Sequence, residues 1–443
     1  MTDHLGDVVA AHKSGAPAGI TSVCSAHPLV LAAAMREAAA TGGALLIEAT
    51  SNQVDQFGGY TGMRPADFRD FVQRIADDEG FPRESIVLGG DHLGPNTWQG
   101  EPESSAMDKA EELVRAYAAA GYAKIHLDCS MPLAGDATPL SDEVVAGRAA
   151  RLLAAAEEAS AGTPLAGAIR YVIGTEVPVP GGAHETIDAL APTPPEAARA
   201  TLEAHRTAFE QAGAADAWSR VMALVVQPGV EFDHVRVVDY DPSRTGGLQH
   251  VLDGEADMVF EAHSTDYQLT GALTDLVRDH WAVLKVGPGL TFALREGLFA
   301  LAAIEDQLVA DGRSDLLAVI EQVMLADPSR WQRYYEGSSD EQRIARRFSY
   351  SDRMRYSLPD ERIEAAVARL LTNLEAAGIP EPLLSQYLPL QYDRVRRGVL
   401  DAAPRELLLD RVRDALRPYS AATAAGTSST TAAAAAEPIG ASL

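Results

Sequence analysis

The sequence predicts an α/β fold, a (β/α)8 barrel with a C-terminal helical extension. Three observations carry that prediction. Eight short apolar runs punctuate the first 290 residues or so: ITSVC (20–24), ALLIEA (44–49), IVLGGDH (86–92), KIHLD (124–128), RYVIGTE (170–176), ALVVQ (223–227), MVFEAH (258–263) and AVLKVG (282–287). A stretch that reads as helix is expected between consecutive runs. Each run also ends in a polar residue able to do chemistry, and barrels of this type carry their active sites at the C-terminal ends of the strands. Those ends hold Glu48, Asp91, His92, His126, Asp128, Glu176, Gln227, Glu261, His263 and Lys285.

The runs read as strands because they are short, rich in Val, Ile and Leu, and bounded by Gly or Pro. Nearly continuous apolar runs suit parallel strands buried on both faces. The helices show 3.6-residue spacing and end signals. The segment 28–43 is Ala-rich and stops at Gly42-Gly43, a helix C-cap signal. Segment 65–80 opens with Pro and closes at Gly80, the usual asymmetry of helix ends. Segments 104–122, 142–162, 193–213 and 291–309 complete the set. Strand–helix–strand order gives right-handed parallel crossovers. An open doubly wound sheet normally carries a Gly-rich phosphate turn after its first strand; the turn here is CSAHP. A count of eight favours closure.

The barrel is expected to span 1–312. Residues 313–419 read as the helical extension, with basic and aromatic residues interleaved over 331–357. Residues 420–443 are Ala/Thr/Ser-rich, with too little bulky apolar surface to fold, and are expected to be disordered. The 443 residues carry a formal charge of −26. That balance argues against nucleic acid and anionic membranes, whose binding rests on Lys and Arg neutralising phosphates. No apolar stretch approaches the roughly 18–20 residues of a membrane span, and the N-terminus lacks the apolar core of a secretory signal. Two cysteines, Cys24 and Cys129, suit a reducing compartment rather than a disulfide framework. Cys129 reads as a small packing residue. The expected location is the cytoplasm, and a homo-oligomer is the expected state.

At the strand ends, Asp91-His92 sets an acid beside an imidazole after paired glycines. A metal ligand next to a proton-transfer group suits carbonyl or carbon–carbon chemistry. EAHSTDYQ (261–268) offers His263 as a ligand that can pair with His92 across the barrel. A divalent ion takes imidazole and carboxylate and keeps a position open for substrate. QPGVEFDHVRV (227–237) offers Glu231 as a third ligand, with His234 as the alternative; either could instead orient the ligands. Glu176 stands before a Pro/Gly-rich loop as a base or ligand, or as an ion-pair partner of Lys124 or Lys285. Lys285 and the helix start in KVGPGLTF (285–292) form a candidate phosphate site. Arg353 and Arg355 form a second candidate anion clamp. Glu48, Asn52, Asp128, Gln227, Lys285 and Arg353 are the expected substrate contacts. No GxxxxGK[ST] phosphate loop occurs, which argues against a kinase.

The order of these segments resembles the class II, metal-dependent ketose-bisphosphate aldolases. IEATSNQVDQFGGYTGM, GGDHLGPNTW, GTEVPVPGGA, VVQPGVEFDH, EAHSTDYQ, KVGPGLTFALREGLFAL and RFSYSDRMRYS resemble the GatZ/KbaZ branch, from about residue 5 to 418. The resemblance implies a divalent metal (Zn, Mn, Ni, Co or Mg), Asp91 as proton-transfer acid, and His92 and His263 as ligands. No histidine aligns cleanly with the third aldolase ligand. The resemblance further implies either a 4-epimerase acting on a ketohexose or its 6-phosphate (fructose/tagatose type) by retro-aldol and aldol steps, or a non-catalytic partner that stabilises an aldolase catalytic subunit.

Overall fold

The computed structural model describes residues 2–175 and 190–424. Eight parallel strands close into a barrel: β1 (Ile20–Val23), β2 (Leu45–Thr50), β3 (Ile86–Leu93), β4 (Lys124–Leu127), β5 (Arg170–Ile173), β6 (Val221–Val225), β9 (Val259–Ala262) and β10 (Val283–Val286). Neighbours follow chain order, and β1 pairs with β10 to close the ring. The outer helices are α2 (Pro28–Thr41), α3 (Pro65–Glu79), α4 (Glu103–Ala119), α5 (Asp142–Ser160), α6 (Pro195–Gln211), α7 (Thr270–Arg278) and α8 (Pro288–Leu308). Gly42 and Gly80 end α2 and α3 in the left-handed conformation, as their sequence positions predict.

The segment between β6 and β9 departs from the expected helix. It holds an antiparallel hairpin, β7 (Glu231–Phe232) with β8 (Val237–Val238), and two 3₁₀ turns, Pro242–Arg244 and Leu248–His250. Pro228-Gly229, Pro242, Gly246-Gly247 and Gly254 interrupt this stretch too often for a helix to propagate.

Before the barrel, α1 (His4–Lys13) seals the N-terminal end. Leu5 and Val9 join Ile20, Leu46, Val87, Val172, Met222, Val259 and Val283 in one apolar cluster at the foot of the strands.

The chain after α8 forms α9 (Leu316–Ala326), α10 (Ser339–Phe348), the 3₁₀ turn Arg353–Tyr356, α11 (Glu361–Ala377), α12 (Glu381–Tyr387), α13 (Pro389–Arg396) and α14 (Pro404–Thr423). Helix α14 packs on α2, α7 and α8. It continues to Thr423, past the 420 boundary expected for the tail. Tyr419 and Ala422 are buried there, and the Thr423 carbonyl accepts from Gly19 N–H at the entry to β1. No helix among the described residues is long and apolar enough to cross a membrane.

Candidate active site

The strand ends converge on one polar cluster inside an otherwise apolar barrel. In β4, Lys124 and His126 alternate inward, and Asp128 continues the alternation just past the strand; period-two spacing puts all three on one face. Glu261 and His263 do the same across the end of β9. Glu48, Lys124, His126, Asp128 and Glu261 are fully buried, and Asp91, His92, His263 and Lys285 nearly so.

Two ammoniums organise the carboxylates. Lys124 Nζ pairs with Glu48 and lies 2.7 Å from Glu261 Oε2. Lys285 Nζ pairs with Asp91 and lies 3.1 Å from Glu48 Oε2 and 3.4 Å from Glu261 Oε1. Burial alone would push these carboxyls up and these amines down. For Asp91, Glu261 and both lysines the pairing reverses this. Burial opposes ionisation of Asp91, but His92, Lys285 and the His126 hydrogen bond hold it well below the carboxylate range. Lys124 and Lys285 do the same for Glu261. Against its burial, Lys285 is held well above the ordinary lysine value by Asp91, Glu48 and Glu261.

Three imidazoles face one another above this lattice. Ring centroids of His92, His126 and His263 stand 4.9–5.3 Å apart. Each ring has one nitrogen on a carboxylate: His92 Nδ1 on Asp128 Oδ2 at 2.7 Å, His126 Nδ1 on Asp91 Oδ1 at 3.0 Å, and His263 Nε2 on Glu261 Oε1 at 3.0 Å. His92 N–H also donates to His126 Nδ1 at 3.3 Å, and His92 Nε2 lies 3.5 Å from Asp91 Oδ2; a carboxylate behind an imidazole is the usual support of metal-ligating histidines. Asp128 is steadied in turn by Asn96 Nδ2 at 2.8 Å and Ser130 Oγ at 2.6 Å. His92 has a left-handed backbone, φ 50°, where the β3–β4 register shifts, so local strain re-aims this side chain.

A divalent ion fits this donor set. Ligand atoms of Asp91, His126, Glu261 and His263 lie within 4.8 Å of one another. His126 Nε2 is buried without a hydrogen-bond partner. Burial, with Lys285 nearby, pushes His263 down to about 3, so its ring stays neutral. Four carboxyl groups, Glu48, Asp91, Asp128 and Glu261, stand around two lysines in this cluster, a donor set that suits a dication.

A cavity of about 270 Å³ opens above the cluster. Asp91, His92, His263 and Lys285 form its floor, and Asn52 lines its wall. Glu48 and Asp128 lie behind that floor, holding Lys285 and His92. Other expected contacts stand elsewhere. Gln227 Oε1 accepts from Gly229 and Val230 N–H at 2.8 and 2.9 Å and shapes the β6–β7 loop. His234 Nδ1 meets Ser351 Oγ at 3.0 Å, and its ring packs on Tyr335. Glu231 is buried beside Ser264 and Asp266, accepts from Phe232 N–H at 2.9 Å, and is pushed by burial up to about 7. Neither Glu231 nor His92 is among the grouped ligand atoms; His126, Asp91 and Glu261 stand there with His263. Arg353 stacks over Tyr334, 3.3 Å from the ring centroid, and Arg355 lines the cavity in its place. Glu176 lies outside the described residues.

The expected phosphate site at the start of α8 is closed from within. Asp266 Oδ1 accepts from Gly287 N–H at 2.9 Å and Gly289 N–H at 2.7 Å. This carboxylate takes the donors that a bound phosphate would use.

The family model described as D-tagatose-1,6-bisphosphate aldolase subunit GatZ/KbaZ-like matches residues 5–424. The chain belongs to that family. A crystal structure from Sinorhizobium meliloti 1021, described as a probable tagatose 6-phosphate kinase, is 51% identical to this GatZ/KbaZ-like chain. The match covers 91% of this chain and 100% of that one, with a TM-score of 0.84. Two further structures are more distant. Fructose-bisphosphate aldolase from Campylobacter jejuni is 14% identical (85% and 93% covered, TM-score 0.43), and the YdjI aldolase from Escherichia coli K12 is 11% identical (85% and 95% covered, TM-score 0.37).

Proposed function

We propose that this GatZ/KbaZ-like protein is a metal-dependent 4-epimerase of a ketohexose or ketohexose 6-phosphate, of the fructose/tagatose type. The observation that carries the reading is the facing trio His92, His126 and His263, each backed by a carboxylate, with Asp91 and Lys285 beside it on the cavity floor. A scaffold subunit gains nothing from such a buried lattice of charge, which costs desolvation and is seldom a net source of stability.

His126, His263 and Glu261, whose ligand atoms group together, would hold the ion, with His92 beside them as the ligand expected from the sequence; when bound, it supplies Lewis-acid polarisation of the ketone and stabilises developing negative charge. Asp91, kept ionised by its neighbours, takes the proton of the C4 hydroxyl. The C3–C4 bond then breaks. Its electron pair moves toward the C2 carbonyl to give an enediolate, and C4 becomes an aldehyde carbon. Lys285 Nζ, which bridges Asp91 and Glu48, offers a positive charge to the oxygen anion. The aldehyde turns its other face, the C3–C4 bond re-forms, and Asp91 returns its proton to the C4 oxygen. No atom is gained or lost, so the product is the C4 epimer. The cavity, small for a ligand site, suits a sugar.

A non-catalytic role beside a tagatose-bisphosphate aldolase is the second reading, supported by the family's description as an aldolase subunit. The kinase named for the Sinorhizobium protein finds no GxxxxGK[ST] loop in this sequence. The test is incubation of the purified chain with fructose 6-phosphate and, separately, fructose, read by NMR with and without chelation and metal add-back. Metal-dependent tagatose or tagatose 6-phosphate confirms the epimerase. Triose products mean aldolase, and no turnover by metal-loaded protein means an accessory subunit.

A further inference from the structure

Arg355 lines the cavity that holds the catalytic floor, but it comes from the C-terminal extension rather than from the barrel. Its Nη1 is spent on the Ser351 and Asp352 carbonyls, and its Nη2 donates to Tyr356 Oη at 2.8 Å. That leaves Nε–H and one Nη2 hydrogen without a partner among the described residues. No carboxylate forms an ion pair with it there. Arg355 is half-buried; the buried Arg148, Arg295 and Arg346 are neutralised by Asp136, Asp352 and Glu321. Arg353, one residue removed, also has no acidic partner among the described residues and stacks on Tyr334 and Tyr356. Two guanidinium charges thus meet in one turn with aromatic rings as their neighbours.

The barrel contributes the facing wall. Tyr60, from the loop after β2, meets Tyr356 edge-on with centroids 5.0 Å apart, and both line the cavity. The alternative place for an anion, the start of α8, is already filled by Asp266. The cavity therefore has one end built for chemistry and another where Arg355, with Asp352 and Asp266 near it but no ion-paired carboxylate among the described residues, offers Nε–H and one Nη2 hydrogen.

We propose that Arg355, framed by Tyr356 and Tyr60, binds a terminal anionic group of the sugar, a phosphate monoester or a carboxylate, and thereby selects the substrate. This rests on the epimerase reading for the sugar skeleton; the anion subsite itself stands on the charge and geometry of Arg355. The fork of a guanidinium suits two oxygens of either anion.

The test uses three probes that have no ketone and so cannot turn over: D-glucitol 6-phosphate, D-gluconate and D-glucitol. Each is titrated calorimetrically into the metal-loaded full chain and into its Arg355→Met and Arg355→Lys variants. One or both anionic probes are expected to bind about 30-fold tighter than glucitol. That advantage is lost in Arg355→Met and cut about tenfold in Arg355→Lys, which keeps the charge but not the fork. Glucitol binding is unchanged throughout and reports intact folding. Whichever anion gains more identifies the group. Equal affinity for all three probes in the unsubstituted protein, or an anion advantage that survives both substitutions, overturns the proposal. If Arg355→Met fails to fold, Arg355→Lys carries the comparison alone. An anion advantage that depends on Arg355, with no turnover of any ketose, keeps the subsite and removes the epimerase reading.

Discussion

Lys124 on β4 and Glu48 on β2 are not on adjacent strands, yet their charges meet because β3 places Gly89 between them. The register aligns Glu48 with Gly89 and Gly89 with Lys124. A Cβ at Gly89 would sit 2.8 Å from Glu48 Cγ. The glycine is therefore a clearance, and the ion pair crosses over it.

Gly89→Ala is expected to disturb the Glu48 side chain and destabilise the fold by about 1–3 kcal/mol, the usual cost of overpacking. Lys124→Met is expected to cost more, about 3–5 kcal/mol, because it leaves Glu48 and Glu261 buried short of a cation. Urea denaturation midpoints of the two variants give the order. A Lys124→Met protein as stable as the parent would show that the lattice carries no structural weight.

Asp128→Asn should loosen the divalent ion without displacing it. Asp128 receives His92 Nδ1 at 2.7 Å, and loss of a carboxylate behind a ligating histidine typically weakens metal affinity about 10–100-fold. His126→Ala, which removes a ring rather than its support, should lower the bound metal ratio outright. Metal content after dialysis against a graded chelator distinguishes the two.

Glu231 makes stability depend on pH. Burial raises its pKa from 4.5 to about 7, so the folded state holds this proton more tightly than the unfolded one. Its contribution is full below about pH 4.5 and is lost as pH rises through 7. A shift of that size corresponds to roughly 3 kcal/mol. Glu231→Gln should therefore be nearly neutral at pH 5 and stabilising at pH 8. Urea midpoints at the two pH values provide the check, and equal differences at both would sink the assignment.

Asp266→Ala should uncover Gly287 and Gly289 N–H, each now bound to its carboxylate. A loss of about 1–3 kcal/mol follows from leaving buried donors unpaired. Inorganic phosphate should recover part of that loss in the variant and none in the parent, read as the melting temperature in phosphate against chloride at equal ionic strength.

The barrel was legible because strand runs and helix caps repeat at the right spacing. The hairpin after β6 was not, because eightfold regularity was extended over a stretch whose prolines and glycines oppose it. At the site, Asp91, His92, His263 and Lys285 stand out as polar ends of apolar runs, and all four line the cavity. His126 was visible as a strand-end residue, but its place beside His92 and His263 depends on parity within KIHLD: Lys124, His126 and Asp128 share a face. Glu231 and His234 attract notice by residue type, while the hairpin that carries them points them to Ser264 and Ser351. Arg353 and Arg355 differ only in which way a short 3₁₀ turn rotates them, and spacing does not encode that.

Helix α1 leaves the barrel a vessel with its lower end shut. On the proposed epimerase reading, a freed fragment would leave through the cavity that Tyr60, Tyr356 and Arg355 help to line, whereas recapture would ask only that its carbonyl turn over in place. Rotation about single bonds takes picoseconds to nanoseconds, and loop movements take nanoseconds to microseconds. The contest between inverting a carbon and losing half the sugar is then one of clocks, and the closed end favours the faster one.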